Sequence, residues 1–157
     1  MKYSSHILID LPRERVIELF DNPDNMSKWM KGLESFETFE GEPGQPGAKS
    51  KMVFQMGKRR IEMVETIHKR ELPDLFSGAY EAKGVYNEVE NRFEDLGDQT
   101  KYTTQHYFKF ESLGMRLMAF LMPKAFKKQS MTYLMDFKAF AESEGKWCKR
   151  NAVLFAS

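Results

Sequence analysis

The sequence predicts an α+β fold: a curved antiparallel β-sheet, about seven strands, wrapped around a long C-terminal helix, with two short helices between strands 1 and 2. Three observations carry this. Strand-like and helix-like patterns are segregated along the chain. Residues 48–111 alternate like strands and are punctuated by the turn candidates Gly57-Lys58, Lys83-Gly84 and Gly97-Asp98. After Glu111 the apolar period changes from two to about 3.6, as a helix requires.

The elements follow in order. KYSSHILID is rich in β-formers and opens as a strand. In LPRERVIELF, Pro12 suits the first turn of a helix, and Val16, Ile17 and Phe20 form an apolar stripe. DNPDNMSKWM turns and adds a short second helix anchored by Trp29, and GLESFETFEG is a strand. EPGQPG is a stiff loop with glycines where positive φ is needed. Three hairpins follow. The last helix runs from GMRLMAFLMPKAF onward, with Pro123 expected to kink or break it and Gly145 as its stop. Strands of about ten residues span roughly 33 Å, and long twisted antiparallel sheets curl. The concave face then needs a filling, which that helix supplies.

The turns fix the register. Gly97-Asp98 pairs Phe93 with Tyr102, Asn91 with Thr104, Val89 with His106, Asn87 with Phe108 and Val85 with Phe110. Lys83-Gly84 adds Phe76, Gly78, Tyr80 and Ala82 to the same face, and Gly57-Lys58 pairs Met52 with Met63, Phe54 with Ile61 and Ser50 with Glu65. This face mixes apolar and polar groups, as ligand pockets do. The expected ligand-binding residues are Met52, Phe54, Met63, Glu65, Phe76, Gly78, Tyr80, Asn87, Val89, Asn91, Thr104, His106 and Phe108 of the sheet, and Met118, Met122 and Phe126 of the helix. Met115, Tyr133 and Phe137 join the helix cover, and the 11 methionines suit irregular, re-packable space. Gly78 beside His106 is expected to leave room for a ligand. His106 is the candidate for site chemistry, as hydrogen-bond donor or general acid/base near neutral pH, or else a core histidine with satisfied nitrogens. Glu65 is either a buried acid with a raised pKa or a strand-end group in water.

Composition narrows the classes. Lys and Arg total 24 against 23 Asp and Glu, a net charge of +1, which gives no reason to expect nucleic acid or an anionic membrane as partner. The clusters Lys58-Arg59-Arg60 and Lys124, Lys127, Lys128 read as solvated tips and faces. A single cysteine, Cys148, excludes an internal disulfide. His6, His68 and His106 lack metal-ligand spacing, and no phosphate-loop, dinucleotide or G-x-S-x-G motif occurs, so no metal and no cofactor is expected and no catalytic residue is assigned. No signal peptide and no run of transmembrane length is read, so the expectation is a cytoplasmic chain without integral membrane contact.

The segments ILIDLPRERVIELFDNPDNMSKWM, EGEPGQPGAKS, GVYNEVENRFEDLGDQTKYT and PKAFKKQSMTYLMDFKAFAE together resemble the START-like superfamily, also called SRPBCC, with the helix-grip fold of birch-pollen allergen and polyketide cyclases. The resemblance covers residues 1–144 as one domain and leaves 145–157 as a C-terminal tail, a possible homodimer contact through Trp147, Val153, Leu154 and Phe155. It implies a carrier or sensor of a hydrophobic small molecule or lipid, held in an internal cavity between sheet and C-terminal helix. Two alternatives stay open: a polyketide cyclase/dehydratase-like enzyme using the same pocket, and a cochaperone-like protein-interaction domain.

Overall fold

A computed structural model describes residues 1–155, with side chains through Gly145. Seven strands form one antiparallel sheet: β1 (Lys2–Ile9), β2 (Leu33–Glu40), β3 (Lys49–Met56), β4 (Arg59–Glu71), β5 (Leu75–Ala82), β6 (Val85–Asp95) and β7 (Thr100–Phe110). Their spatial order is β1-β7-β6-β5-β4-β3-β2, so every neighbour but the β1–β7 pair is a sequence neighbour. The hairpin registers read from the turns all occur, including Asn91 opposite Thr104, Gly78 opposite Val89 and Ser50 opposite Glu65. β1 closes on β7 with Tyr3 opposite His106 and Ser5 opposite Thr104.

Helices α1 (Arg13–Asp21) and α2 (Met26–Trp29), joined by a single 3-10 turn at Pro23–Asn25, lie between β1 and β2. Val16, Leu19 and Trp29 are buried, as an amphipathic cover requires. The C-terminal helix is in two pieces, α3 (Leu113–Leu121) and α4 (Pro123–Phe155). Pro123 lacks the N–H that would continue α3, and Met122 leaves helical geometry at φ −127° and ψ 47°. Ser112 starts α3, its Oγ accepting from the Met115 N–H at 3.1 Å.

α4 lies along β1, and its buried stripe is Ser130, Leu134, Phe137 and Ala141, at helical spacing. Phe137 is fully buried and meets Trp29 edge-on at 5.0 Å and Phe20 at 5.8 Å. Ile7, Ile9, Leu11, Val16, Phe93, Tyr102 and Phe140 complete this core, which therefore occupies one end of the grip. Gly145 does not stop α4, which continues to Phe155. Its missing side chain serves a contact instead: a Cβ there would lie 2.2 Å from Leu11 Cδ2. The side-chain contacts expected for Trp147 and its neighbours lie outside the described residues.

Candidate functional site

The concave face divides into a sealed end and an accessible one. Toward the α1–α2 end, Asn91 is buried and satisfied: its Oδ1 accepts from Tyr102 OH at 2.9 Å and its Nδ2 donates to the Phe76 carbonyl at 3.2 Å. Both polar atoms are engaged, so Asn91 braces the sheet. Further along the same face, Tyr80, Asn87, His106 and Phe108 retain partial exposure despite facing inward, as does Phe126 of α4, which packs edge-on to Phe108.

Three side-chain groups organise this accessible end. Glu65, buried on β4, accepts a 2.8 Å hydrogen bond from Tyr80 OH on β5, its neighbour by register. Burial raises the Glu65 pKa, partly offset by the Tyr80 hydrogen bond, and Tyr80 is pushed well above its usual value by burial and by Glu65. His106 stacks on Tyr3 at 4.9 Å, with Asn87 Nδ2 at 3.4 Å from its Nδ1. Burial lowers the His106 pKa to about 4, so the imidazole is neutral near pH 7 and the expected acid/base role near neutrality does not suit it. Tyr3 OH in turn reaches Ser130 Oγ at 2.7 Å and donates to the Phe126 carbonyl at 3.1 Å, tying β1 to α4. Phe108, Phe110 and Phe126 form an aromatic cluster beyond this group, with Phe126 edge-on to the other two at 5.3 and 5.7 Å.

Buried polar atoms are left over. Ser5 Oγ, Thr104 Oγ1 and Asn87 Oδ1 have no hydrogen-bond partner, although Ser5 and Thr104 sit opposite each other in register. Either orientation of the Asn87 amide leaves one of its polar atoms unpaired beside His106. Each such atom costs roughly 1–3 kcal/mol without a partner, so the arrangement favours something that supplies hydrogen bonds.

Several expected site residues sit elsewhere. Met118 is 62% exposed and Met122 53%, so neither roofs the sheet. Met115 instead packs over Gly84, where an added Cβ would lie 3.2 Å from its sulfur. Met52, Phe54 and Val89 are buried in the packing of the sheet face. Met63 lines a solvent-open hollow of about 460 Å³ near the far edge, with Phe39, Val64 and Ala82. Gly78 does not leave room: a Cβ there would be 2.8 Å from the Thr66 carbonyl oxygen, so glycine permits close approach of β4, next to the irregularity between Ile67 and Lys69. Tyr3, Ser5 and Ser130 were not expected. The alternation Tyr3, Ser5, Ile7, Ile9 carried a signal, since those four share one strand face. Among the described residues, no three His, Cys, Asp or Glu side chains are grouped as metal ligands would be.

No family model and no curated protein matches the sequence. Solved structures do match the fold. Ara h 8.0201 superposes with a TM-score of 0.74 at 12% identity, over 91% of this chain and 98% of that one. The Zhui aromatase/cyclase from Streptomyces sp. R1128 gives 0.74 at 15% identity, over 90% and 93%. Norcoclaurine synthase from Thalictrum flavum, in complex with dopamine and hydroxybenzaldehyde, gives 0.69 at 13% identity, over 92% and 87%. With its seven-stranded curved sheet gripping a long C-terminal helix, the chain has the helix-grip fold that these structures share.

Proposed function

We propose that this protein binds an apolar small molecule, as carrier or sensor, on the unsealed part of its concave face. The observation that carries the reading is the set of buried polar atoms without partners: one atom of the Asn87 amide, among Tyr3, Phe108 and Phe126, and Ser5 Oγ and Thr104 Oγ1 in the row of Asn91, where the accessible part meets the sealed end. A mostly apolar ligand with a few polar groups satisfies such atoms and covers the rings. The neutral His106 offers an acceptor or donor without the cost of a buried charge. Fold neighbours that include an aromatase/cyclase and a synthase in complex with dopamine and hydroxybenzaldehyde support a small-molecule reading.

Displacement of a lipophilic fluorescent dye tests this. Thr104→Val keeps shape and removes one hydroxyl; dye or ligand affinity should change by roughly 2- to 10-fold, the value of one hydrogen bond, with melting temperature held or raised. Absence of dye uptake by the wild-type chain counts against the proposal.

A second reading, catalysis, is favoured by the Glu65–Tyr80 pair, a carboxyl with a raised pKa held at 2.8 Å from a phenol. It requires turnover of a bound substrate that Glu65→Gln abolishes while affinity stays.

A further inference from the structure

α3 is too apolar for a helix in water. Leu113 is 80% exposed, Leu117 58%, Phe120 81% and Leu121 67%, and Met118 and Met122 add to the same surface. On the body side, Ala119 is its buried residue. Leu113, Leu117 and Leu121 repeat every fourth residue and Phe120 sits beside them, so the exposed side is one continuous apolar face. Monomeric soluble proteins seldom leave such a face uncovered.

The charge around it is one-sided. Residues 112–135 contain Arg116, Lys124, Lys127 and Lys128 and no Asp or Glu. Lys124, Lys127 and Lys128 edge a shallow hollow of about 450 Å³ on α4 with Met131, Thr132, Met135 and Asp136. These three lysines form no ion pair among the described residues, and the nearest acid on α4, Asp136, is taken by Lys31 at 2.7 Å. The whole chain is nearly neutral, at +1, so this cationic surface is set off against an otherwise net-acidic protein.

We infer that α3 and the start of α4 dock peripherally on an anionic lipid bilayer, with Leu117, Phe120 and Leu121 entering the interface and Lys124, Lys127 and Lys128 meeting lipid phosphates. Apolar side chains backed by lysines are the composition of interfacial helices. A second copy of the chain fits less well. A two-fold contact through this face would set the same cations against each other, with Glu111 and the Lys31-paired Asp136 as the acids at its margins. No described helix is long and apolar enough to cross a membrane, which agrees with a surface-lying contact. This inference does not depend on the ligand proposed above.

Co-sedimentation of the full chain with vesicles tests it, using phosphatidylcholine alone and phosphatidylcholine with phosphatidylglycerol added. The chain should pellet with the anionic vesicles, remain free with the neutral ones, and be released by salt. Lys124→Glu/Lys127→Glu/Lys128→Glu should lower partitioning on the order of 100-fold, and Phe120→Ser/Leu121→Ser should lower it too. Circular dichroism checks that both variants fold. Independently of folding in those variants, Phe120→Trp should be quenched by brominated anionic lipids. Equal partitioning of wild type and both variants overturns the inference, as does no binding to either vesicle. A wild-type dimer that Phe120→Ser/Leu121→Ser turns into a monomer, with no vesicle binding, overturns it in favour of a second copy.

Discussion

His106 should make the fold acid-sensitive. Burial holds its pKa at about 4 against 6.5 for the ordinary imidazole. As pH falls through 6.5 the unfolded chain takes up a proton that the folded chain refuses, so the folded state loses stability until its own pKa is reached. The loss is complete below pH 4 and amounts to about 3 kcal/mol at most. Glu65 works in the other direction. Its folded pKa is raised, so its contribution is fully present below its ordinary value and is lost as pH rises through the folded one. The total profile of the wild type mixes both. Comparing it with His106→Gln cancels the Glu65 part, since Glu65 is unchanged. Urea unfolding of both proteins at several pH values between 7 and 4 gives the test. The stability of the wild type relative to His106→Gln should fall by up to about 3 kcal/mol over that range. The ring stacking lost with His106 shifts the variant by a constant and does not alter the slope. Parallel profiles refute the argument, because they mean that His106 titrates alike in both states.

Other outcomes follow from single contacts. Tyr80→Phe leaves the buried Glu65 carboxylate without its 2.8 Å partner and should cost roughly 1–3 kcal/mol at pH 8, less at pH 4 where the carboxyl is protonated, by urea unfolding. Gly78→Ala places a Cβ 2.8 Å from the Thr66 carbonyl oxygen and should lower stability by roughly 1–3 kcal/mol, read as a depressed melting temperature. Phe137→Ala empties the centre of the core and should cost about 3–5 kcal/mol, enough to leave a partly unfolded population in mild denaturant. Met118→Ser, on an exposed position, should stay within about 0.5 kcal/mol of wild type; a larger loss would restore Met118 to a roofing role.

The hairpins were legible because each is a local object. Gly57, Gly84 and Gly97 all take positive φ at their turns, and a two-residue turn fixes every pair of the ladder that follows. The β1–β7 pairing has no such mark, since Lys2 meets Tyr107 across nearly the whole chain. Tyr3 and Ser5 therefore stayed outside the expected site, although their strand face alternates plainly. Gly78 and Gly145 were legible as glycines but not for what they allow. A missing side chain looks the same whether it admits a ligand, the Thr66 carbonyl or Leu11. α3 failed for a related reason. Apolarity says that a helix seeks cover, and Met118 and Met122 were assigned to the sheet because it was the only partner visible in the sequence. The helix breaks at Pro123, and both methionines stay exposed.

The central claim is that the accessible part of the concave face holds an apolar molecule. A crystal structure of the chain as purified, with native mass spectrometry of the same sample, tests it most directly. The expected result is density beside Ser5, Asn87 and Thr104, in hydrogen-bonding contact with their unpartnered atoms, and a matching bound mass. Density for water alone, or a closed interior with Ser5 Oγ bonded to Thr104 Oγ1 and no bound mass, would contradict it.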